Sequence, residues 1–156
     1  MKVKFLVVGK TAFDYLKVGE EIYKDRLKHY CSFERIEVQD VKNPKNLSKD
    51  EIKRKEASSI LTKLAANDFL VLLDENGNQF SSLEFAKWIE KRNLSPQNIV
   101  FLIGGAYGFD KSIHERMNLK LALSRMTFSH QMVRLIFLEQ LYRAFTIIKG
   151  EPYHHE

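Results

Sequence analysis

A chain of 156 residues with 44% hydrophobic content is long enough to bury a core without disulfide or metal staples, and a single domain over residues 1–156 is expected. Cys31, the one cysteine, excludes an intramolecular disulfide and a cysteine-rich zinc site; no apolar run approaches ~18–20 residues and no export leader is read at the start, so a cytoplasmic protein without a membrane span is expected. The 25 Lys+Arg against 20 Asp+Glu give +5, a lean toward a polyanionic partner that charge alone does not identify.

Residues Lys2 to Gly9 start polar and alternating and end apolar before glycine, which predicts a first strand. Helical spacing follows from about Phe13 to Tyr30, with Phe13, Leu16, Ile22, Tyr23 and Leu27 expected on one side. Phe33 to Val38 alternates strictly, as an edge strand does. After a polar loop from Asp40 to Asn46, Ser48-Lys49-Asp50-Glu51 has the capping-box pattern and opens a helix to about Ala65. On that helix the interspersed Asp50, Glu51 and Glu56 favour an ordinary solvated face over a phosphate-binding one for Lys53, Arg54, Lys55 and Lys63.

Phe69 to Leu73 reads as a fully buried strand, Asp74 to Asn78 as a turn, and Ser81-Ser82-Leu83-Glu84 as a second capping box opening a helix to about Arg92. Ile99 to Ile103 is five apolar residues in a row, a strand buried on both faces, and it ends in Gly104-Gly105. A short helix from Asp110 to Arg116, a short strand from Lys120 to Leu123 and a long helix from about Gln131 to Ile148 complete the chain. Alternating strands and helices predict an α/β fold, a mainly parallel sheet with helices on both faces. The last helix has no broad polar face, and a second copy of the chain is the economical cover for it.

Ligands in such sheets collect beyond the carboxyl ends of the strands. The ends at Leu73, at Gly104-Gly105 and at Leu123 to Phe128 are therefore taken as one site, with the glycines removing Cβ atoms from a ligand's path. Gly104-Gly105-Ala106-Tyr107-Gly108 matches neither G-x-G-x-x-G nor the P-loop, and no Gly-x-Ser-x-Gly elbow exists. His130, alone before an apolar helix, reads as a capping or packing residue ahead of an acid/base. Arg143 has Glu139 four residues away, whereas Arg134 has no local acid and is the better candidate for a substrate or phosphate. The Tyr153-His154-His155-Glu156 end reads as frayed, metal-binding or catalytic, in that order.

The combination of Phe101 to Gly108, Leu123 to Arg134, Glu139 to Ala144 and a terminal Pro152-Tyr153-His154 resembles the RlmH (YbeA) family over essentially the whole chain. These are bacterial large-subunit rRNA pseudouridine N3-methyltransferases of the SPOUT superfamily. Ser129 departs from the proline usual before His130. The resemblance implies a C-terminal trefoil knot, a rare exception to unknotted chains. It also implies a homodimer, S-adenosyl-L-methionine as methyl donor, no metal, and a pseudouridine in helix 69 of 23S rRNA, in the assembled ribosome, as substrate. Carried over, the donor site comprises Leu73, Gly104, Gly105, Leu123, Ser124, Arg125, Met126, Thr127 and Phe128, and the catalytic residues are Arg134, Tyr153 and His154. The alternatives are a SPOUT enzyme acting on another RNA such as tRNA, and a non-catalytic nucleotide-binding dimer associated with the ribosome.

Overall fold

The computed structural model describes residues 1–155. Its elements run β1 (Lys2–Val8), α1 (Asp14–Leu27), β2 (Ser32–Val38), a 3-10 turn (Pro44–Asn46), α2 (Lys49–Leu61), β3 (Phe69–Gln79), α3 (Ser82–Arg92), β4 (Ile99–Ile103), α4 (Lys111–Arg116), β5 (Leu119–Ala122) and α5 (Met132–Ile148). The strands form one sheet in the order β2-β1-β4-β3-β5, with every neighbouring pair parallel. The expected α/β architecture is present, and β2 is an edge, as its alternation predicted.

The two-residue period of the strands divides the core. Val3, Phe5 and Val7 of β1 join Phe101, Val71 and Leu121 on one face, where Phe137, Leu138 and Leu141 of α5 pack. Leu6 and Val8 join Leu70, Leu72, Val100 and Leu102 on the other, under Ala57 and Ile60 of α2 and Ile113 of α4. Both faces are thus dry, which is why β4 shows an unbroken apolar run. Each large side chain fully buried here contributes about 1.5–3 kcal/mol.

Several local expectations are corrected. Phe13 and Ile22 of the α1 region are exposed, while Leu16 and Leu27 are buried, so α1 turns an apolar stripe outward. The helix opened by Ser48 ends at Leu61, not Ala65. Ser48 Oγ accepts from the Glu51 N–H but the reciprocal bond is not made, whereas Ser81 and Glu84 form the complete box. The predicted turn at Asp74–Asn78 is a bulge inside a longer β3, with Leu73 and Asn78 both opposite Leu121. Gly77 is required there, because a Cβ would stand 2.6 Å from the Lys120 backbone carbonyl.

The last helix is also differently covered than its composition suggested. It lies on the sheet between α1 and α3, so much of its apolar circumference is buried within the chain itself. No helix is long and apolar enough to cross a membrane among the described residues.

Candidate active site

The carboxyl ends of β4, β3 and β5 open on a cleft of about 580 Å³, within the size range of small-molecule sites. Leu73, Ile103, Leu121, Leu123, Phe128 and Val133 supply apolar wall; Asp74, Glu75, Ser124 and Thr127 supply polar groups. Of the nine residues expected at the donor site, Leu73, Gly104, Gly105, Leu123, Ser124, Met126, Thr127 and Phe128 line this cleft. Arg125 lies in the same loop, exposed, without lining it. The loop is ordered locally by Ser124 Oγ, which accepts from the Met126 N–H at 3.0 Å, and by Thr127, whose hydroxyl donates to Glu75.

The paired glycines line the cleft and are also packed from behind. A Cβ on Gly105 would point away from the cleft, 2.6 Å from Oε1 of Glu56 in α2. A Cβ on Gly104 would meet the Phe109 ring at 2.8 Å. Packing around the loop therefore constrains these glycines in addition to any clearance they give a ligand. Glu56 is buried, and burial followed by the nearby Asp40 charge raises its pKa, while the Gly105 N–H holds it back.

Sequence reasoning missed several members of the cleft. Asp74, Glu75 and Asn76 passed for an ordinary turn, and only their position after a buried strand signalled otherwise. His130 is exposed on the rim and does not cap α5. Capping falls to Ser129, whose Oγ accepts from the N–H groups of Gln131 at 3.2 Å and Met132 at 3.1 Å. Ser129 thus gives the helix start a hydroxyl.

Arg134 is 0% exposed and turned away from the cleft. Its Nε donates to His130 O at 3.1 Å, Nη1 to Gly9 O at 3.0 Å and Thr11 Oγ1 at 3.1 Å, and Nη2 to Val8 O at 2.7 Å. Burial, with Arg35 nearby, lowers its pKa against the opposing pull of Glu20, Glu37 and Asp40. Gln131 adds to the clamp, accepting from Ala12 N–H at 2.7 Å and donating to Lys10 O at 3.1 Å. Arg134 thereby fixes the segment after β1 against the start of α5, where His130 and Val133 meet the cleft.

Tyr153 and His154 form a second cluster, outside the cleft. Tyr153 packs edge-on against Tyr142, with ring centroids 4.8 Å apart, and its hydroxyl lies 3.0 Å from Glu139 Oε1 and 3.1 Å from the Tyr23 hydroxyl. Burial and these two partners push its pKa up, so the phenol is protonated at neutral pH. Arg143 joins Glu139 at 2.5 Å, as their spacing predicted, and His154 Nδ1 at 3.1 Å. Through His154 the tail is held against α5 rather than frayed; Glu156 lies outside the described residues. Glu139 is six residues beyond Val133, about 9 Å along the helix axis, so one chain does not bring the cluster and the cleft together. Among the described residues no group of three or more His, Cys, Asp or Glu is placed to hold a metal ion.

Known proteins match this chain over nearly its whole length. A family model described as "Predicted SPOUT methyltransferase" matches residues 1–154. A protein of Cytophaga hutchinsonii is 53% identical over 156 residues, covering 99% of this chain and 100% of its own, and one of Christiangramia forsetii is 51% identical over 156 residues, covering 99% of each. A third, from Parabacteroides distasonis, is 48% identical over 157 residues and the whole of both chains. All three bear the name ribosomal RNA large subunit methyltransferase H. With a family match through residue 154 and about half of all positions shared with relatives of the same length, this chain belongs to the SPOUT methyltransferase family.

Proposed function

We propose that the chain transfers a methyl group from S-adenosyl-L-methionine to N3 of a pseudouridine in helix 69 of 23S rRNA, in the large ribosomal subunit of the cytoplasm. The observation that carries this reading is the cleft itself: eight of the nine donor-site residues implied by the family line it. The names of the relatives support an rRNA substrate. The choice of pseudouridine and of helix 69 rests on the family resemblance alone.

The residues present suit such a donor. Leu73, Leu123 and Phe128 offer apolar surface for an adenine, and the glycine loop offers backbone groups rather than side chains. When bound, the donor supplies an electrophilic methyl carbon on a sulfonium sulfur, whose bond pair returns to sulfur as N3 takes the carbon and gives up its proton. The chain contributes position and charge stabilisation. His130 on the rim, or His154, is the imidazole available to accept that proton. Tyr153, kept protonated, stacks on or donates to the base. Arg134 is a positioning residue in this reading, holding the β1 end and the α5 start that carry the rim. The trefoil knot is part of the same proposal and rests on the family resemblance.

A homodimer completes the site. Phe13, Tyr15, Val18 and Ile22 of the α1 side and Met132 of α5 are exposed apolar residues, with the Tyr15 hydroxyl 4.0 Å from Met132 Sδ. This stripe runs from the cleft rim toward Tyr23, which meets Tyr153. Two-fold pairing through it sets the partner's tail against the cleft, supplying Tyr153 and His154 to the site they lack within one chain. The test is incorporation of labelled methyl into large subunits taken from a strain lacking the protein. Transfer to the RNA with one product nucleoside supports the reading, and transfer to tRNA alone rejects the substrate assignment. Donor binding without transfer to any RNA favours the non-catalytic alternative.

A further inference from the structure

The interspersed acids of α2 neutralise its basic face only in part. Glu56 is buried against Gly105, Glu51 is turned to the Ser48 hydroxyl, and Asp50 pairs with Lys53 at 3.8 Å. Among the described residues, Lys42, Lys45, Lys49, Arg54 and Lys55 have no carboxylate within 4.0 Å, and all are exposed. Along α1 and at its C-cap the lysines behave oppositely: Lys17, Lys24 and Lys28 each pair with an acid three residues before. One of the bare cations reaches the cleft mouth. Lys49 Nζ stands 5.3 Å from the centroid of the Tyr107 ring, which is 48% exposed and lines the cleft. Lys53 and Arg54 are close enough to Asp110, the cap of α4, to act on its charge. Unpaired cations that border an exposed aromatic ring at a cleft mouth match what a nucleic-acid strand requires, since phosphates take the charges and a base takes the ring.

We propose that the exposed cations Lys45, Lys49 and Arg54, with Tyr107, form the surface that holds the RNA backbone beside the donor cleft. The inference rests on the rRNA reading above and adds the face on which the RNA lies. The 3-10 turn and α2 grip phosphates flanking the target nucleotide, and Tyr107 stacks on a base displaced next to it. On this proposal α2 carries a phosphate-binding face, because of its three acids only Asp50 pairs with a cation of that face, Lys53.

The test uses the full-length protein and large subunits from a deletion strain. Methylation by the wild type is established first; if it is absent, the rRNA reading falls and this proposal with it. The variant Lys45→Gln/Lys49→Gln/Arg54→Gln is then compared, with Lys24→Gln/Lys28→Gln as a control. The triple variant should unfold at the wild-type temperature and bind S-adenosylmethionine within twofold, yet show a KM for subunits raised at least tenfold. The slope of log(kcat/KM) against log[salt] should become shallower by roughly 2, since each lost phosphate contact removes about 0.7–0.9. Tyr107→Ala should raise KM without changing that slope. An unchanged KM in the triple variant, or a change equalled by the control, overturns the proposal. A raised KM with an unaltered salt slope assigns the face to a protein neighbour on the ribosome and overturns the RNA assignment.

Discussion

Replacing Arg134 with methionine separates a buried clamp from a substrate contact. Methionine is similar in length and unbranched, so it fills the space of the stem, and the main loss is of donors. Val8 O, Gly9 O, His130 O and Thr11 Oγ1 each lose one charge-assisted bond, of 2.7–3.1 Å in the native chain. Each unsatisfied buried acceptor costs about 1–3 kcal/mol, while the methionine no longer requires a guanidinium to be desolvated. Removal of the cation also leaves Glu20, Glu37 and Asp40 with one less opposing charge. The net loss is about 3–5 kcal/mol, as found when one member of a buried polar pair is removed, and this lowers Tm by roughly 6–20 °C for a chain of this size. Urea unfolding and calorimetric titration with the donor provide the measurements. Stability should fall, and donor affinity should weaken wherever the protein remains folded, because the α5 start borders the cleft. A variant with wild-type Tm and donor affinity but no methylation would refute the clamp and restore direct contact with the RNA.

Gly105→Ala places a Cβ against Glu56 and should cost about 1–3 kcal/mol, with a loss of donor affinity; Glu56→Ala in the same chain should recover part of it, and strict additivity of the two by urea titration would refute the contact. Glu56→Gln should stabilise at neutral pH, because the raised pKa of Glu56 means that its stability contribution is complete below the unfolded value near pH 4.5 and lost as pH rises through the folded one; equal pH profiles for the variant and wild type would count against it. Asp68 faces burial, which raises its pKa, but bonds from Ala65 N–H, Lys4 and Asn98 outweigh this and lower it overall. Its stabilisation is therefore present above about pH 3.8 and lost as pH falls further, and Asp68→Asn should flatten acid unfolding in that window while lowering stability at pH 7. Removal of residues 153–156 should abolish methylation while leaving donor binding within a few-fold; single-turnover rates near wild type would remove the tail from the site. Val18→Asp on the exposed stripe of α1 should yield monomers by sedimentation, and an unaltered oligomer would place the interface elsewhere.

Much of the fold was legible because burial on both faces leaves a plain mark. Ile99 to Ile103 could be read as a central strand from composition alone, and Ser81-x-x-Glu84 fixed a helix start by local hydrogen bonding. The failures arose where tertiary contacts decide. Nothing local shows that Gly77 closes against Lys120, so a bulge passed for a turn. The outward stripe of α1 was invisible because Phe13 and Ile22 fit a buried face as well as an exposed one. At the site, the strand ends and their loops were found from the α/β rule, and the cleft unites them. The destination of Arg134 was not legible, because its partners are carbonyls at positions 8 and 9 and a hydroxyl at 11, far away in sequence. A charge without a local acid looked free for a ligand, when distant backbone was already there to receive it.

Mass mapping of 23S rRNA from a strain in which the corresponding gene is deleted tests the proposed activity most directly. Nuclease fragments covering helix 69 should each lack one methyl group on a pseudouridine, and reintroduction of the wild-type chain, but not of one lacking residues 153–156, should restore it. An unchanged helix 69 mass in the deletion strain, with a methyl group missing from some other RNA, would contradict the assignment.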